Sequence, residues 1–263
     1  MNLQLKNKTA FVSGSTAGIG KAIAKLLAEE GADVIISGRK QDTVDSVAAE
    51  LRKTAQGSVR GFAGDLSKSA VAEELQKKYP KVDILINNLG IFEPAPFEKI
   101  SDDEWKRFFD INVLSGVRLS RLYMPYMREQ DWGRVIFISS ESGIHIPKEM
   151  IHYGMTKSAQ IAVARGLAET VAGTGITVNS VLPGPTKSRG VGDFVQKQAD
   201  EAGKSLDEFE SEFFDTARPT SLIQRFAICE EVAPIVAFLC SPLASATTGA
   251  PIRVEGGVVK SAF

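Results

Sequence analysis

Residues 9–20 read Thr-Ala-Phe-Val-Ser-Gly-Ser-Thr-Ala-Gly-Ile-Gly. An apolar, partly β-branched run leads into three glycines, Gly14, Gly18 and Gly20, and an amphipathic pattern begins at the third. That order predicts a strand, a tight turn and a helix. Without a Cβ at the turn, backbone N–H groups at the helix start can approach an anion such as a pyrophosphate. Ser15, Thr16 and Ile19 ride on the same turn and join the candidate contacts. Glycines also serve plain structural turns, and it is the strand-turn-helix setting that favours a dinucleotide. The spacing is G-x-x-x-G-x-G with no Gly-Lys-Ser/Thr ending, which disfavours phosphoryl transfer.

Outward from this stretch, six more short apolar runs recur, at 34–37, 59–63, 82–87, 134–139, 177–182 and 252–254. Helical patterns between them start near Gly20, Asp42, Ser69, Asp102, Tyr153 and Glu230. Strands alternating with helices build right-handed βαβ units. The expectation is an α/β fold, a doubly wound parallel seven-stranded sheet with helices on both faces and a ligand crevice where the strand order reverses. No linker or repeat divides the 263 residues, so one domain over 1–263 is expected. Residues 187–224 break the alternation: they are charged and helix-prone, with Phe194, Phe209, Phe213 and Phe214 spaced through them. A lid over the crevice is the favoured reading, and a peripheral helical pair the other.

Acidic and basic residues nearly cancel, 32 against 31, which offers no electrostatic case for nucleic acid or an anionic membrane. Cys229 and Cys240 form no CxxC or Cys/His cluster, and no metal site is expected. Reduced thiols, an N-terminus without an apolar core and no membrane-length apolar run predict a soluble cytoplasmic protein.

Two further motifs point to chemistry. After the second run the chain reads Ser37-Gly38-Arg39-Lys40, where a cofactor without a 2′-phosphate usually meets a carboxylate. Two cations there suit NADP(H), with NAD(H) as the second choice and a solvated basic turn as the bland alternative. Farther on, Tyr153 and Lys157 stand one helical repeat apart, and Ser140 lies thirteen residues before the tyrosine at a strand end. A lone Tyr-x-x-x-Lys is most often a surface pair. With a serine and a dinucleotide turn beside it, it reads as a proton-transfer site.

Together with Asp65-Leu66, Asn87-Asn88-Leu89-Gly90, Asn112 and Pro183-Gly184, these features closely resemble the short-chain dehydrogenase/reductase family over nearly the whole chain. The match continues through 225–231, Thr248-Gly249 and Val254-Glu255-Gly256-Gly257. The resemblance implies a Rossmann-type domain that moves hydride between NAD(P)(H) and a ketone or secondary alcohol. In it Tyr153 is general acid or base, Lys157 lowers its pKa and holds the nicotinamide ribose, Ser140 donates to the substrate oxygen, and Asn112 positions a relay water. Ser139 is expected on the opposite face of the strand end. By the same resemblance Asp65, Leu66, Asn88 and Gly90 line the adenosine pocket, Pro183 and Gly184 approach the nicotinamide, Thr186 meets its carboxamide, and Ser188 lies near the pyrophosphate. Asp65 read alone is a helix cap, Pro183-Gly184 an ordinary turn and Asn112 a packing amide.

The departures are Leu89 for the family's usual alanine, Cys229 for proline and Glu255 for aspartate. Candidate pocket walls are Glu141, Ile146, Met150 and Met155, with His152 at the pocket mouth or in solvent. A 3-oxoacyl-thioester reductase is one specific substrate reading; a silent dinucleotide-binding sensor is a rival of another class. The resemblance also implies a homo-oligomer, tetramer or dimer, built on long helices at 102–128 and 153–170.

Overall fold

The computed structural model describes residues 1–188, Gln196, Asp200 and 203–262. Seven strands form one all-parallel sheet: β1 (Thr9–Val12), β2 (Asp33–Gly38), β3 (Val59–Ala63), β4 (Ile84–Asn87), β5 (Gly133–Ile138), β6 (Ile176–Pro183) and a last strand, Pro251–Val254. Their spatial order is β3-β2-β1-β4-β5-β6 and then the last strand. The order reverses between β1 and β4, which pair Ala10 with Ile84 and Val12 with Ile86. The carboxyl ends of β1, β4, β5 and β6 therefore lie along one edge, and the loops leaving them form the crevice.

Because both faces are covered, the strands read as continuous apolar runs, and alternate residues go to different cores. Ala10 and Val12 of β1, Val34 and Ile36 of β2, and Ile136 and Ile138 of β5 meet helices α1 (Gly18–Glu29) and α2 (Gln41–Leu51) and the late helix Cys229–Cys240. Phe11, Ile35, Val135 and Phe137, one residue out of phase, meet α3 (Ser69–Lys78), α5 (Ser115–Glu129) and α6 (Ile151–Glu169). A Leu27 or Leu119 fully withdrawn from water contributes roughly 1.5–3 kcal/mol, so either core alone commits its helices to the sheet.

The helix expected at 102–128 is interrupted. It consists of α4 (Asp102–Phe109), a π turn at Asp110–Leu114 and α5. A π turn adds a residue to the helical repeat and changes where the following side chains face, a device that recurs at functional sites. Asn112 lies inside it.

A short pair, β7 (Thr186–Lys187) with β8 (Ala227–Ile228), closes the base of the expected lid segment. Helix α7 (Leu206–Thr216) starts at a Ser205/Glu208 capping box, and Phe213 and Phe214 pack on Phe226. These phenylalanines dock the segment; Phe194 lies outside the described residues. The late helix Cys229–Cys240 is α8, and the last strand Pro251–Val254 is β9. No helix among the described residues is long and apolar enough to cross a membrane.

Candidate active site

The turn after β1 carries Gly14 and Gly18 at φ +62° and +57°, a conformation that side chains rarely adopt. A Cβ on Gly20 would lie 2.4 Å from Asn88 Nδ2 and 2.6 Å from Gly14 O, so the chain closes on itself only with glycine there. Ala17, the N-cap of helix α1, offers no side-chain hydrogen bond, so the first N–H groups of the helix are left for another acceptor, as at an anion site. This geometry fits a pyrophosphate. Ser15 is fully buried, with its hydroxyl on Val12 O at 2.7 Å and its N–H on Ser37 O at 2.9 Å, so its part is to shape the turn.

Ser13, which the sequence reading passed over, ties this turn to β4. Its Oγ accepts from the N–H groups of Asn88 (2.9 Å) and Leu89 (3.0 Å), and Asn88 Nδ2 donates to the carbonyls of Ser13 and Gly14, both at 3.0 Å. Leu89 Cδ1 lies 3.6 Å from where a Gly14 Cβ would stand, so the bulkier residue sits against the turn itself. Ser188 also reaches the turn, its Cβ 3.1 Å from the position of a Gly18 Cβ. Thr186 is buried, with its hydroxyl on Gly184 O at 2.9 Å. Gly184, after Pro183, has a structural need of its own: a Cβ there would meet Glu255 O at 2.6 Å.

Arg39 and Lys40 are exposed beyond β2. The Ser67 hydroxyl is the largest cause that lowers the Asp65 pKa, with smaller contributions from Lys68 and Arg39. Asp65 Oδ1 accepts from Ser67 Oγ at 2.7 Å and Ser67 N at 3.1 Å, a local turn well ahead of α3. Leu66 is buried in the second core, which leaves its backbone for a ligand.

Ser140, Tyr153, Lys157 and Asn112 come together where β5, α6 and the π turn meet. Lys157 Nζ donates to Ile138 O at 2.9 Å and to Gln160 Oε1 at 3.1 Å, and lies 5.5 Å from the centre of the Tyr153 ring. Gly90 leaves this corner open: a Cβ on it would stand 3.5 Å from Lys157 Nζ and 3.6 Å from Asn112 Oδ1. Phe92 covers the tyrosine edge-on, with ring centres 6.4 Å apart. Ser139 points away, its hydroxyl on Lys157 O at 2.8 Å.

Burial sets the electrostatics. It pulls the Lys157 amine down to about 7 and pushes the Tyr153 phenol well above its ordinary range, while the adjacent Ser140 hydroxyl draws the phenol back. Tyr153 as a whole is half-buried; the groups that lower its phenol are Ser140 and Arg218, while the Lys157 amine is held by Ile138 and Gln160.

Asn112 is fixed at this corner by its own side chain. Its side chain is spent on Ile91 N (2.8 Å), Ile91 O (3.0 Å) and Thr156 Oγ1 (2.9 Å), and its carbonyl accepts the Gln160 amide at 2.6 Å. Gln160 therefore bridges Lys157 to the Asn112 carbonyl directly. Its spacing, three residues past Lys157 on the same helix, was the available signal.

At the serine, Glu141 was expected only as a pocket wall, and Arg218 escaped a functional reading. Glu141 Oε2 accepts from Ser140 Oγ at 3.1 Å, and Glu141 Oε1 pairs with Arg218 Nε at 2.9 Å. His152 is neither at a pocket mouth nor solvated; it is buried between Trp105 and Phe108, and burial lowers its pKa. Ile146 is exposed, and Met150 and Met155 are half-buried. The two cysteines are free and buried, their thiols pushed up to about 11 and about 12 by desolvation, which makes them poor nucleophiles. No cluster able to hold a metal occurs among the described residues.

The family model for short chain dehydrogenase matches residues 8–199. The chain belongs to the short-chain dehydrogenase family. An uncharacterized oxidoreductase of Bacillus subtilis, YvaG, is 49% identical over 264 residues, covering 100% of both chains. A 3-oxoacyl-[acyl-carrier-protein] reductase of Aquifex aeolicus is 32% identical, covering 98% of this chain and 100% of its own. The crystal structure of L-sorbose reductase from Gluconobacter frateurii, complexed with NADPH and L-sorbose, superposes with a TM-score of 0.93 at 28% identity, covering 99% of this chain and 100% of that one. This short-chain dehydrogenase is thus an oxidoreductase with a nicotinamide dinucleotide as cofactor, on the seven-stranded parallel sheet that its sequence predicts.

Proposed function

We propose that the chain is an NADPH-preferring reductase of a ketone to a secondary alcohol, with Tyr153 as general acid. The observation that carries this reading is the convergence of Ser140, Tyr153 and Lys157 beside Gly90, on the sheet edge that also bears the glycine turn. When bound, NADPH supplies the hydride. The turn's N–H groups and α1 would hold the pyrophosphate, Arg39 and Lys40 the 2′-phosphate, and Asp65, Leu66, Asn88 and Gly90 the adenosine half. Pro183, Gly184, Thr186 and Ser188 would border the nicotinamide half, and Lys157, beside Gly90, would hold its ribose.

Ser140 donates a hydrogen bond to the substrate oxygen as charge develops there, and Tyr153 transfers its phenolic proton to that oxygen. The phenol, ordinarily titrating at 10.0 and pushed further up by burial, is protonated at neutral pH, which is the form a reduction consumes. Lys157, with a pKa near 7, is poised to return that proton once its ammonium is charged. The family resemblance supports assembly into a dimer or tetramer through α4, α5 and α6. A monomer by light scattering at micromolar concentration refutes the assembly.

The experiment is NADPH consumption over a panel of ketones that includes L-sorbose, acetoacetyl-CoA and diacetyl. Turnover that disappears in Tyr153→Phe, with NADPH affinity retained, is the expected result. Fastest turnover of the thioester selects the 3-oxoacyl reading, for which the Aquifex relative speaks. Cofactor binding without turnover of any member, unchanged in Tyr153→Phe, favours a dinucleotide sensor and refutes the reductase.

A further inference from the structure

The Ser140 hydroxyl is already engaged. A carboxylate can only accept, so Ser140 Oγ, 3.1 Å from Glu141 Oε2, gives its single proton to Glu141, while its oxygen accepts from Ser142 N at 3.1 Å. To donate to a substrate oxygen it must leave Glu141. How readily it leaves depends on what else holds that carboxylate.

The other carboxylate oxygen is held by Arg218. Arg218 Nε stands 2.9 Å from Glu141 Oε1, and Nη1 reaches Glu149 Oε1 at 3.3 Å and Ala217 O at 2.8 Å. Both partners of the inner pair are withdrawn from water, Glu141 at 3% exposure and Arg218 at 5%. The arginine comes from far along the chain and is fixed at both ends. Its N–H and that of Ala217 bond to Phe213 O, its carbonyl accepts from Ser221 N, and the Phe213 ring, packed on Phe214 and Phe226, lies 5.9 Å from the guanidinium. The segment after α7 thus delivers one cation to the residue next to the reacting serine.

We propose that Arg218 is a positioning residue for Ser140: by holding Glu141 it weakens that carboxylate's grip on the serine hydroxyl and so lets Ser140 turn to the substrate oxygen. The inference rests on the reading of Ser140 as the substrate's hydrogen-bond donor. With Arg218 removed, Glu141 is a buried charge whose remaining nearby donor is the serine, and an uncompensated buried carboxylate binds such a donor tightly. The two charges also act on Tyr153 in opposite senses, Glu141 raising its pKa and Arg218 lowering it, so losing the arginine burdens both groups that face the substrate oxygen.

The test is a double-mutant cycle on the full chain, Arg218→Met, Glu141→Gln and both, read with NADPH and the ketone that the wild type reduces fastest. Arg218→Met is expected to lower kcat about 10- to 100-fold, with NADPH affinity by fluorescence unchanged. Adding Glu141→Gln should restore kcat at least about tenfold, because a neutral amide oxygen competes for the serine proton far more weakly than a buried carboxylate. Arg218→Lys, which keeps the charge, should fall between. If the double variant is as slow as Arg218→Met, or Arg218→Met keeps wild-type kcat, the proposal is overturned and Arg218 is only a strut for the α7 segment. Ser140→Ala separates the two levels: wild-type kcat in that variant refutes the serine's role itself, whereas a loss there beside an unaffected Arg218→Met refutes only the arginine's. A substrate-free arm covers a variant that folds but turns over poorly for other reasons. The Arg218→Met crystal structure should keep Glu141 on the Ser140 hydroxyl, and a carboxylate swung out to solvent would overturn the proposal.

Discussion

Lys157→Met should make the cofactor-free protein more stable at pH 6 and abolish its activity. Burial holds the Lys157 amine at about 7, against an ordinary value of 10.5. At ~1.4 kcal/mol per pH unit, that gap corresponds to about 5 kcal/mol spent on keeping a charged amine in the native interior at low pH. Methionine removes this cost but forfeits the hydrogen bonds to Ile138 O (2.9 Å) and Gln160 Oε1 (3.1 Å), about 1–2 kcal/mol each. The net gain expected at pH 6 is therefore about 1–3 kcal/mol, or roughly 2–10 °C in Tm for a chain of this size. Between pH 7 and 10.5 the unfolded chain binds a proton that the native site does not, so wild-type stability rises with pH through this window. The advantage of the variant must shrink through this window and, at ~1.4 kcal/mol per pH unit, reverse within it, by about pH 9. Urea unfolding of both proteins at pH 6, 8 and 9.5 reads the difference and cancels every group they share. A variant less stable than wild type at pH 6, or a difference that does not change with pH, refutes the burial argument.

Arg39→Asp is expected to weaken NADPH by about 100-fold and NADH by less than about threefold in fluorescence titrations, since it replaces charge-assisted bonds to the 2′-phosphate by repulsion; equal losses for both cofactors count against the assignment. Gly20→Ala forces a Cβ to within 2.4 Å of Asn88 Nδ2 and 2.6 Å of Gly14 O, so NADPH affinity should drop by about tenfold or more and Tm should fall; a neutral outcome by calorimetry would show that the turn can yield. Gln160→Leu removes both ends of the bridge between Lys157 and the Asn112 carbonyl. It should lower kcat about tenfold at unchanged KM and move the alkaline limb of the kcat profile to lower pH, because the ammonium loses an acceptor; an unshifted profile makes Gln160 a packing residue.

The fold was legible because each of its determinants is local. The runs Ala10–Val12, Val34–Ile36, Ile84–Ile86 and Val135–Ile138 are apolar on both faces, as a doubly covered parallel sheet requires, and the glycines at 14, 18 and 20 serve backbone conformations and approaches that other residues cannot. The π turn at Asp110–Leu114 was not legible. Its residues, Asp-Ile-Asn-Val-Leu, continue the amphipathic pattern of α4 and α5, and the extra residue per turn shows only against α6, where Asn112 must meet Thr156 and Gln160. Residues 187–224 were legible as an interruption, yet not in what they contribute, since Phe213, Phe214 and Phe226 form their cluster across a gap that no period spans.

The same contrast runs through the site. Ser140, Tyr153 and Lys157 announce themselves by spacing because two of them share a helix face and the third closes the adjacent strand. What governs their protons comes from residues whose separation carries no period. Glu141 stands next to Ser140 but acts on it only because the short helical turn at Glu141–Gly143 folds its carboxylate back, and Arg218 reaches it from 77 positions away. Sequence spacing thus identified which groups could exchange a proton. The direction in which each proton points depends on burial and on partners brought together by the tertiary fold: Lys157 bonded to Gln160, Ser140 to Glu141, and Glu141 to Arg218. A close relative with the same Ser, Tyr and Lys but an apolar residue in place of Glu141 has no carboxylate to compete for the serine proton. It should then need no arginine at the position of Arg218, and replacing one there should cost no kcat. The two residues are functionally linked only as a pair.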